Sequence, residues 1–474
     1  MSSTSALNTL LASTSSSSSI DLSQILQAAT GASSAGIDVT TAVSAAVTAA
    51  QAPETAWENQ QATLQSQATA LTQIQTDTTN LDNDVQALNS LTGPLSARTV
   101  SSSNSTIVSA SAASGSAVGN HTVVVNSLAS TASWASDTVA SSTTPLGAGN
   151  FTITDASGNT TTISTGTGTS TLSDVASTIN NDNLGVTASV ITDANGARLA
   201  IVSNTSGSAA NFSVAPVAGG LTFSQATNGA NASLTVDGIS ISSASNTVTG
   251  ALPGVTLNLL DASPGTNVNL TIAPDTTQAT TAINQFVTDY NAAIADLNTQ
   301  FTFTGTSEGV LATDSTVRSL QSTLEGALDY TYTPASGTTT VSNLSSLGIS
   351  VNNDGTLTVN SATLTSTLQN NFSDVQNFFQ GASFNGFANS MDQQLTSFIS
   401  PADGAFTVDL SSINTEYDGL QTDISNFETN YITPLKTHLT SEYSSAEILL
   451  QQLPTEMQQI NTELGLNNSS SSGG

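Results

Sequence analysis

Any chemistry in this sequence would have to come from very few side chains. It holds two histidines, no cysteine, and 34 acidic residues against four Lys and Arg. A Ser-His-Asp relay needs a histidine aimed at a nucleophile. His121 lies in NHTVVVN, where it alternates with valines as a strand residue does, and no G-x-S-x-G turn accompanies it. His438 sits beside Leu435 and Leu439 in a helical stripe and reads as a partly exposed helix residue. Paired carboxylates hydrolyse glycosides when held about 5–10 Å apart, but the spacing of scattered acids defines no such pair. The stretch NNDGT, 352–356, has oxygen ligands yet lacks the D-x-[DN]-x-[DN]-G spacing and closing Glu of a calcium loop, so turn chemistry accounts for it. TGTGT, 165–169, has no following Lys and reads as a turn, not a phosphate loop. Arg198 and Arg318 are candidates to anchor an acidic neighbour, and Trp134 and Phe151 are either core or partner-facing. No catalytic residue, cofactor or metal site is expected.

The elements that would position a site are more legible. With 474 residues and 37% hydrophobic content the chain can build several cores. A formal charge of -30 argues against nucleic acid and anionic membranes, both of which demand clustered cations. The absence of cysteine leaves packing alone to hold the fold and suits export in an unfolded state. The segment MSSTSALNTLLASTSSSSSI lacks a basic n-region and a continuous apolar core, and no stretch approaches the ~20 apolar residues of a membrane span. A specialised export route is therefore expected.

Hydrophobic period changes along the chain. Residues 1–36 and 466–474 are poor in large apolar side chains and read as disordered tails. Trp57, Leu64, Leu71, Thr78 and Val85 recur every seven residues, with Ile74, Leu81 and Leu88 three residues after the later ones, so a coiled-coil seam is expected up to Gly93-Pro94. Gln60 and Gln67 occupy polar seam positions, and Asp77, Asp82 and Asp84 are expected to be exposed and merely solvated. From about 98 to 277 short Val, Ile, Thr and Phe runs alternate with Gly, Asn and Asp. A hairpin is predicted over 186–203 around Ala194-Asn195-Gly196, a second over 347–359 with Asp354-Gly355 at its turn, and one helix over 171–183 with Leu172, Val175 and Ile179 on a face. Helical spacing then returns in Ile283, Phe286, Tyr290, Ile294, Leu297 and Phe301. It continues from Ile413 through Leu420, Ile424, Phe427, Leu449, Leu453, Met457 and Ile460 to Leu464, 51 residues in 14 steps or 3.64 per step. Pro434 and Pro454 are expected to kink or break that series. A lone apolar stripe needs a partner, and the two terminal stripes are the natural pair. The fold class expected is α+β and multidomain: a helical stalk of 37–97 with 278–465, including the 347–359 hairpin, and two β-rich head domains between them, 98–132 with 229–277 and 133–228.

Several segments carry a resemblance when taken in order: GIDVTTAVSAAVTAAQAPE (36–54), TINNDNLGVTASVITDANGARLAIVSNTSG (178–207), LTVDGISISSASNTVTGALPGVTLNLL (234–260), INQFVTDYNAAIADLN (283–298) and LGISVNNDGTLTV. Over roughly residues 36–465 the chain resembles the flagellar filament cap family, flagellar hook-associated protein 2. The resemblance implies a secreted, non-enzymatic assembly factor at the distal tip of the bacterial flagellum, outside the cell. Such a factor forms a homo-oligomeric ring, most often described as a pentamer, whose helices rest on the filament tip. It promotes polymerisation of flagellin and prevents its loss. The implied partners are further copies of the chain, flagellin, the type III export apparatus and an export chaperone. The sequence departs from the family in its long tail before Gly36 and its scarcity of Lys and Arg, so Asn, Gln and Thr contacts are expected to replace charged ones. The alternative is an extracellular adhesin or glycan-binding module presented on helices.

Overall fold

The computed structural model describes residues 38–166, 168–302, 308–335, 337–382 and 385–463. The two expected tails, Thr167 of the TGTGT turn and Leu464 of the last stripe lie outside them. The chain divides into two compact units, Met1–Asn80 with Ala292–Leu324 and Gln394–Gly474, and Leu81–Asn291 with Glu325–Gln393.

Helix α1 (Val39–Ala50) begins at Asp38, whose Oδ1 accepts from the Thr41 amide at 3.1 Å and satisfies one of the free N–H groups of the first turn. Helix α2 (Ala52–Asn89) follows at once and stops short of Gly93, as the breaker pair predicts. In the second unit the chain then forms β1 (Arg98–Ser102), β2 (Val108–Ala112), β3 (Gly119–Ser127), β4 (Ser133–Ser136), β5 (Asn150–Thr154) and β6 (Thr160–Ser164). Helix α3 (Leu172–Asn181), β7 (Val186–Asp193), β8 (Gly196–Ser203), β9 (Ser213–Ala218) and β10 (Phe223–Thr227) come next, before β11 (Ala232–Val236), β12 (Ile239–Ser243), β13 (Thr247–Leu252), β14 (Val255–Leu259) and β15 (Val268–Pro274).

These strands make two separate cores. Sheets ordered β1-β15-β3-β11-β12 and β13-β14-β2 enclose Val123, Val125, Leu234, Leu257 and Leu270. Strands β11 and β14 alternate buried and half-buried residues throughout, the period-2 signature of a sheet with one face on a core. Sheets β10-β4-β8-β7 and β6-β5-β9, with α3, enclose Phe151, Ile163, Leu172, Ile179, Leu199 and Ile201. Helix α3 carries a reciprocal cap between Thr171 and Asp174 and buries Leu172, Val175 and Ile179, the predicted face. The β7–β8 hairpin closes with Asp193 opposite Gly196, where φ is +130° and a Cβ would run into the Val139 carbonyl, so only glycine fits.

Helical spacing returns as α4 (Thr276–Phe301) and α5 (Ser315–Ala327). Strands β16 (Ile349–Val351) and β17 (Leu357–Val359) form the second predicted hairpin, which belongs to the second unit. The side-chain amide of Asn291 holds it, accepting from the Leu357 N–H at 2.6 Å and donating to its carbonyl at 2.9 Å. Helices α6 (Ser361–Asn370), α7 (Phe372–Gln380) and α8 (Phe387–Ile399) follow. Phe286, Tyr330, Phe378, Phe379 and Phe387 form an aromatic cluster with centroids 5.0–5.9 Å apart between neighbours.

The chain closes in the first unit with α9 (Ala405–Phe427) and α10 (Thr433–Glu463). Of the expected kinks or breaks, the α-helical ladder is interrupted just before Pro434, yet neither proline ends the helical path. Pro434 lacks an N–H and would strike the carbonyl four residues back. Glu428–Ile432 instead widens into a π turn, in which the Thr433 N–H reaches the Glu428 carbonyl five residues back, and the helical path continues. Pro454 sits inside α10. Among the described residues no helix is long and apolar enough to cross a membrane.

Candidate functional site

The predicted seam is distributed over both units. In the first unit Leu64, Leu71 and Ile74 of α2 are buried, with Leu420 of α9, while Trp57, Ile424 and Phe427 are half-buried. Trp57 meets Phe427 edge-on, centroids 5.4 Å apart. Between these apolar contacts the helices join through amides. Gln60 donates to Glu416 Oε1 at 2.7 Å, and buried Gln61 reaches the Tyr417 carbonyl and Gln421 Oε1, each at 3.3 Å. Gln67 donates to the Val310 carbonyl at 3.1 Å. The polar positions read from the heptads are thus α2's hydrogen-bonding points within this unit, and neutral amides are the donors. Helix α1 packs on α10. In the second unit Leu81, Val85 and Leu88 are fully buried.

The last four predicted seam residues differ. Leu449, Leu453, Met457 and Ile460 are 63%, 47%, 58% and 52% exposed on α10, so none of them is buried. The helical stripe is therefore half used in the single copy.

The aspartates of α2 overturn the expectation of simple solvation. Asp82 is only 4% exposed, and Asp77 and Asp84 are half-buried. Each faces another acid. Asp82 approaches Asp392 of α8, and burial, followed by that neighbour, pushes its carboxyl up to about 6. Asp84 approaches Asp289 of α4 and is pushed up to about 7, again chiefly by burial. Asp296 of α4 is pushed up to about 6 by burial and then by Asp77. Glutamine amides stand where cations would be expected: Gln86 donates to both Asp82 and Asp392, at 2.7 and 3.1 Å, Gln285 to Asp289, and Gln73 to Asp77. Sequence spacing missed these contacts because each joins residues hundreds of positions apart. The only available signal was the presence of Gln four residues from Asp in a helix.

Most of the remaining candidates have structural partners. His121 Nδ1 lies 2.7 Å from Asp237 Oδ2, and that hydrogen bond holds the Asp237 carboxyl below its ordinary range. His438 is exposed on α10. Asp354 of NNDGT accepts from the Thr356 amide and hydroxyl, which is the predicted turn. Arg318 bonds to the Ala312 carbonyl and lies 5.9 Å over the Phe301 ring, so its contacts are a carbonyl and a ring in place of the acid expected. Arg198 is exposed on β8. Trp134 is core-facing, its Nε1 donating to the Phe212 carbonyl at 2.9 Å, and Phe151 is fully buried.

In this chain helices from both ends pack in one unit and are separated in sequence by two β-cores. The family model described as flagellar hook-associated protein 2 N-terminus matches residues 35–132, and that for its C-terminus matches 229–455. The chain belongs to the flagellar hook-associated protein 2 family. Its fold is similar to the crystal structure of the flagellar cap protein FliD D1-D2-D3 domains from Escherichia coli, with a TM-score of 0.59 and 28% identity over 74% of this chain and 99% of that one. Among curated relatives, the B-type flagellar hook-associated protein 2 of Pseudomonas aeruginosa is 29% identical over 318 residues, 60% of this chain and 66% of that protein. Flagellar hook-associated protein 2 of Escherichia coli is 28% identical over 395 residues, 75% and 83% of the two chains. The α+β, multidomain class agrees with the cap-family architecture. These matches give no support to the adhesin or glycan-binding alternative.

Proposed function

We propose that this chain caps the distal end of the bacterial flagellar filament as a ring of identical copies, the pentamer that the resemblance implies. There it would promote insertion of flagellin and prevent its escape. The observation that carries this reading is the apolar stripe on α10. Four large side chains at helical spacing, exposed in a single copy, are what a helix presents when its partner is another chain. Neutral Gln, Thr and Asn side chains on the outer face of α2 fit contacts that hold and release, since hydrogen bonds between neutral groups contribute about 0.5–1.5 kcal/mol each. The role is assembly and not catalysis, the site of action is the filament tip outside the cell, and delivery is through the flagellar type III export apparatus with an export chaperone.

Deleting the gene in the source organism tests this. Filamentless cells that shed flagellin into the medium, restored by the wild-type chain, are expected; normal filaments in the deletion strain would overturn the reading. Negative-stain images of the purified protein should show closed rings, and uniform monomers at micromolar concentration would remove the oligomer from it.

A further inference from the structure

Helix α2 brings three acids against three others with no cation among them. Asp82 faces Asp392 on α8, and Asp84 and Asp77 face Asp289 and Asp296 on α4. The one ion pair among the described residues is His121 with Asp237, in a β-core. Two carboxylate oxygens, Asp82 Oδ1 and Asp84 Oδ2, are buried with no hydrogen-bond donor. An ionised oxygen in that position costs several kcal/mol, whereas a carboxylic acid there donates to the carboxylate opposite. The glutamines complete the geometry. Gln86 bonds to both members of its pair, while Gln285 and Gln73 hold Asp289 and Asp77, leaving the opposing Asp84 and Asp296 to carry the proton. A divalent ion fits less well, since it asks for about six or more oxygens. Each contact offers two carboxyls and an amide whose N–H already points at one or both of them, and no group of three or more potential metal ligands occurs among the described residues.

We propose that α2 carries three proton clamps, Asp82 with Asp392, Asp84 with Asp289 and Asp77 with Asp296, each sharing one proton across a helix contact, so that both units lose stability as the pH rises from mildly acidic to mildly basic. Below the ordinary aspartate value of 3.8, folded and unfolded chains both hold the proton and the clamps add no pH dependence. Between that value and the raised ones, about 6 to 7, the folded chain keeps protons that the unfolded chain has lost, so stability falls as pH rises. Above that window the loss is complete. A clamp raised by about two units changes the folded-to-unfolded ratio by up to roughly a hundredfold across the window, less where water screens it. The general repulsion of a chain at -30 acts in the same direction, but salt screens it, whereas the buried contacts are screened much less.

Thermal unfolding of the full chain at about pH 5 and about pH 8 in 0.5 M salt reads this directly. The wild type is expected to melt higher at the lower pH. In Asp82→Asn with Asp84→Asn and Asp296→Asn, where the amide imitates the neutral acid, the difference should vanish and the melt at the higher pH should rise. A charge-matched control, Asp423→Asn with Glu456→Gln and Glu463→Gln on the exposed faces of α9 and α10, should keep the wild-type difference. Equal wild-type melts at the two pH values, or a pH difference retained in the clamp variant, would overturn the proposal. So would a wild-type melt at the higher pH that calcium restores to its acid value. If the triple variant does not fold, the infrared carbonyl band of neutral carboxyls decides: about three per folded chain at about pH 5.5, lost on unfolding, supports the clamps, and no such band refutes them.

Discussion

Gln380 offers the most direct test of how the long helix is ended. Its side chain is 4% exposed and donates to the carbonyls of Leu88, at 3.3 Å, and Ser90, at 3.0 Å. The last carbonyls of any helix lack partners within it, so a residue distant in sequence closes α2. Gln376 completes the arrangement, donating to Gln380 Oε1 at 3.1 Å and to Ser96 Oγ at 3.3 Å. Gln380→Leu keeps the volume and removes both donors. Two buried carbonyls left bare cost about 1–3 kcal/mol each, and the leucine regains about 1 kcal/mol by burial, for a net loss of roughly 1–5 kcal/mol. Hydrogen exchange measured by mass spectrometry should then show the amides of residues 86–93 opening roughly 5- to 5,000-fold faster, with the β7–β8 hairpin unchanged. Unchanged exchange over 86–93 with an unchanged melt would refute the capping role.

Leu71→Ala empties a fully buried position on α2 and should cost about 2–5 kcal/mol in urea unfolding of the first unit. Leu453→Ala, on the exposed stripe, should change monomer stability by less than about 0.5 kcal/mol, yet weaken self-association in analytical ultracentrifugation. Thr171→Ala removes the reciprocal cap of α3 and should cost about 1 kcal/mol, seen as faster amide exchange in the first turn of that helix.

Local periodicity was enough to read much of this protein. The seven-residue spacing of Leu64, Leu71 and Val85 marked the buried face of α2, Asn195-Gly196 and Asp354-Gly355 marked both hairpin turns, and Leu172, Val175 and Ile179 marked α3. Each of those signals lies within one helix or one hairpin, where sterics and side-chain spacing decide the outcome. Tertiary structure decided what periodicity could not. Whether an apolar stripe is covered depends on which other segment arrives, so Leu420 is buried while Leu449, Leu453, Met457 and Ile460 stay exposed although all continue one series. Pro434 reads as a breaker in isolation, and the π turn before it lets the helix pass. Asp77, Asp82 and Asp84 look like solvated surface because their opposing acids stand 219, 310 and 205 positions away in the sequence. The energy of a carboxyl depends on the dielectric and charge around it, which arise only when distant helices pack.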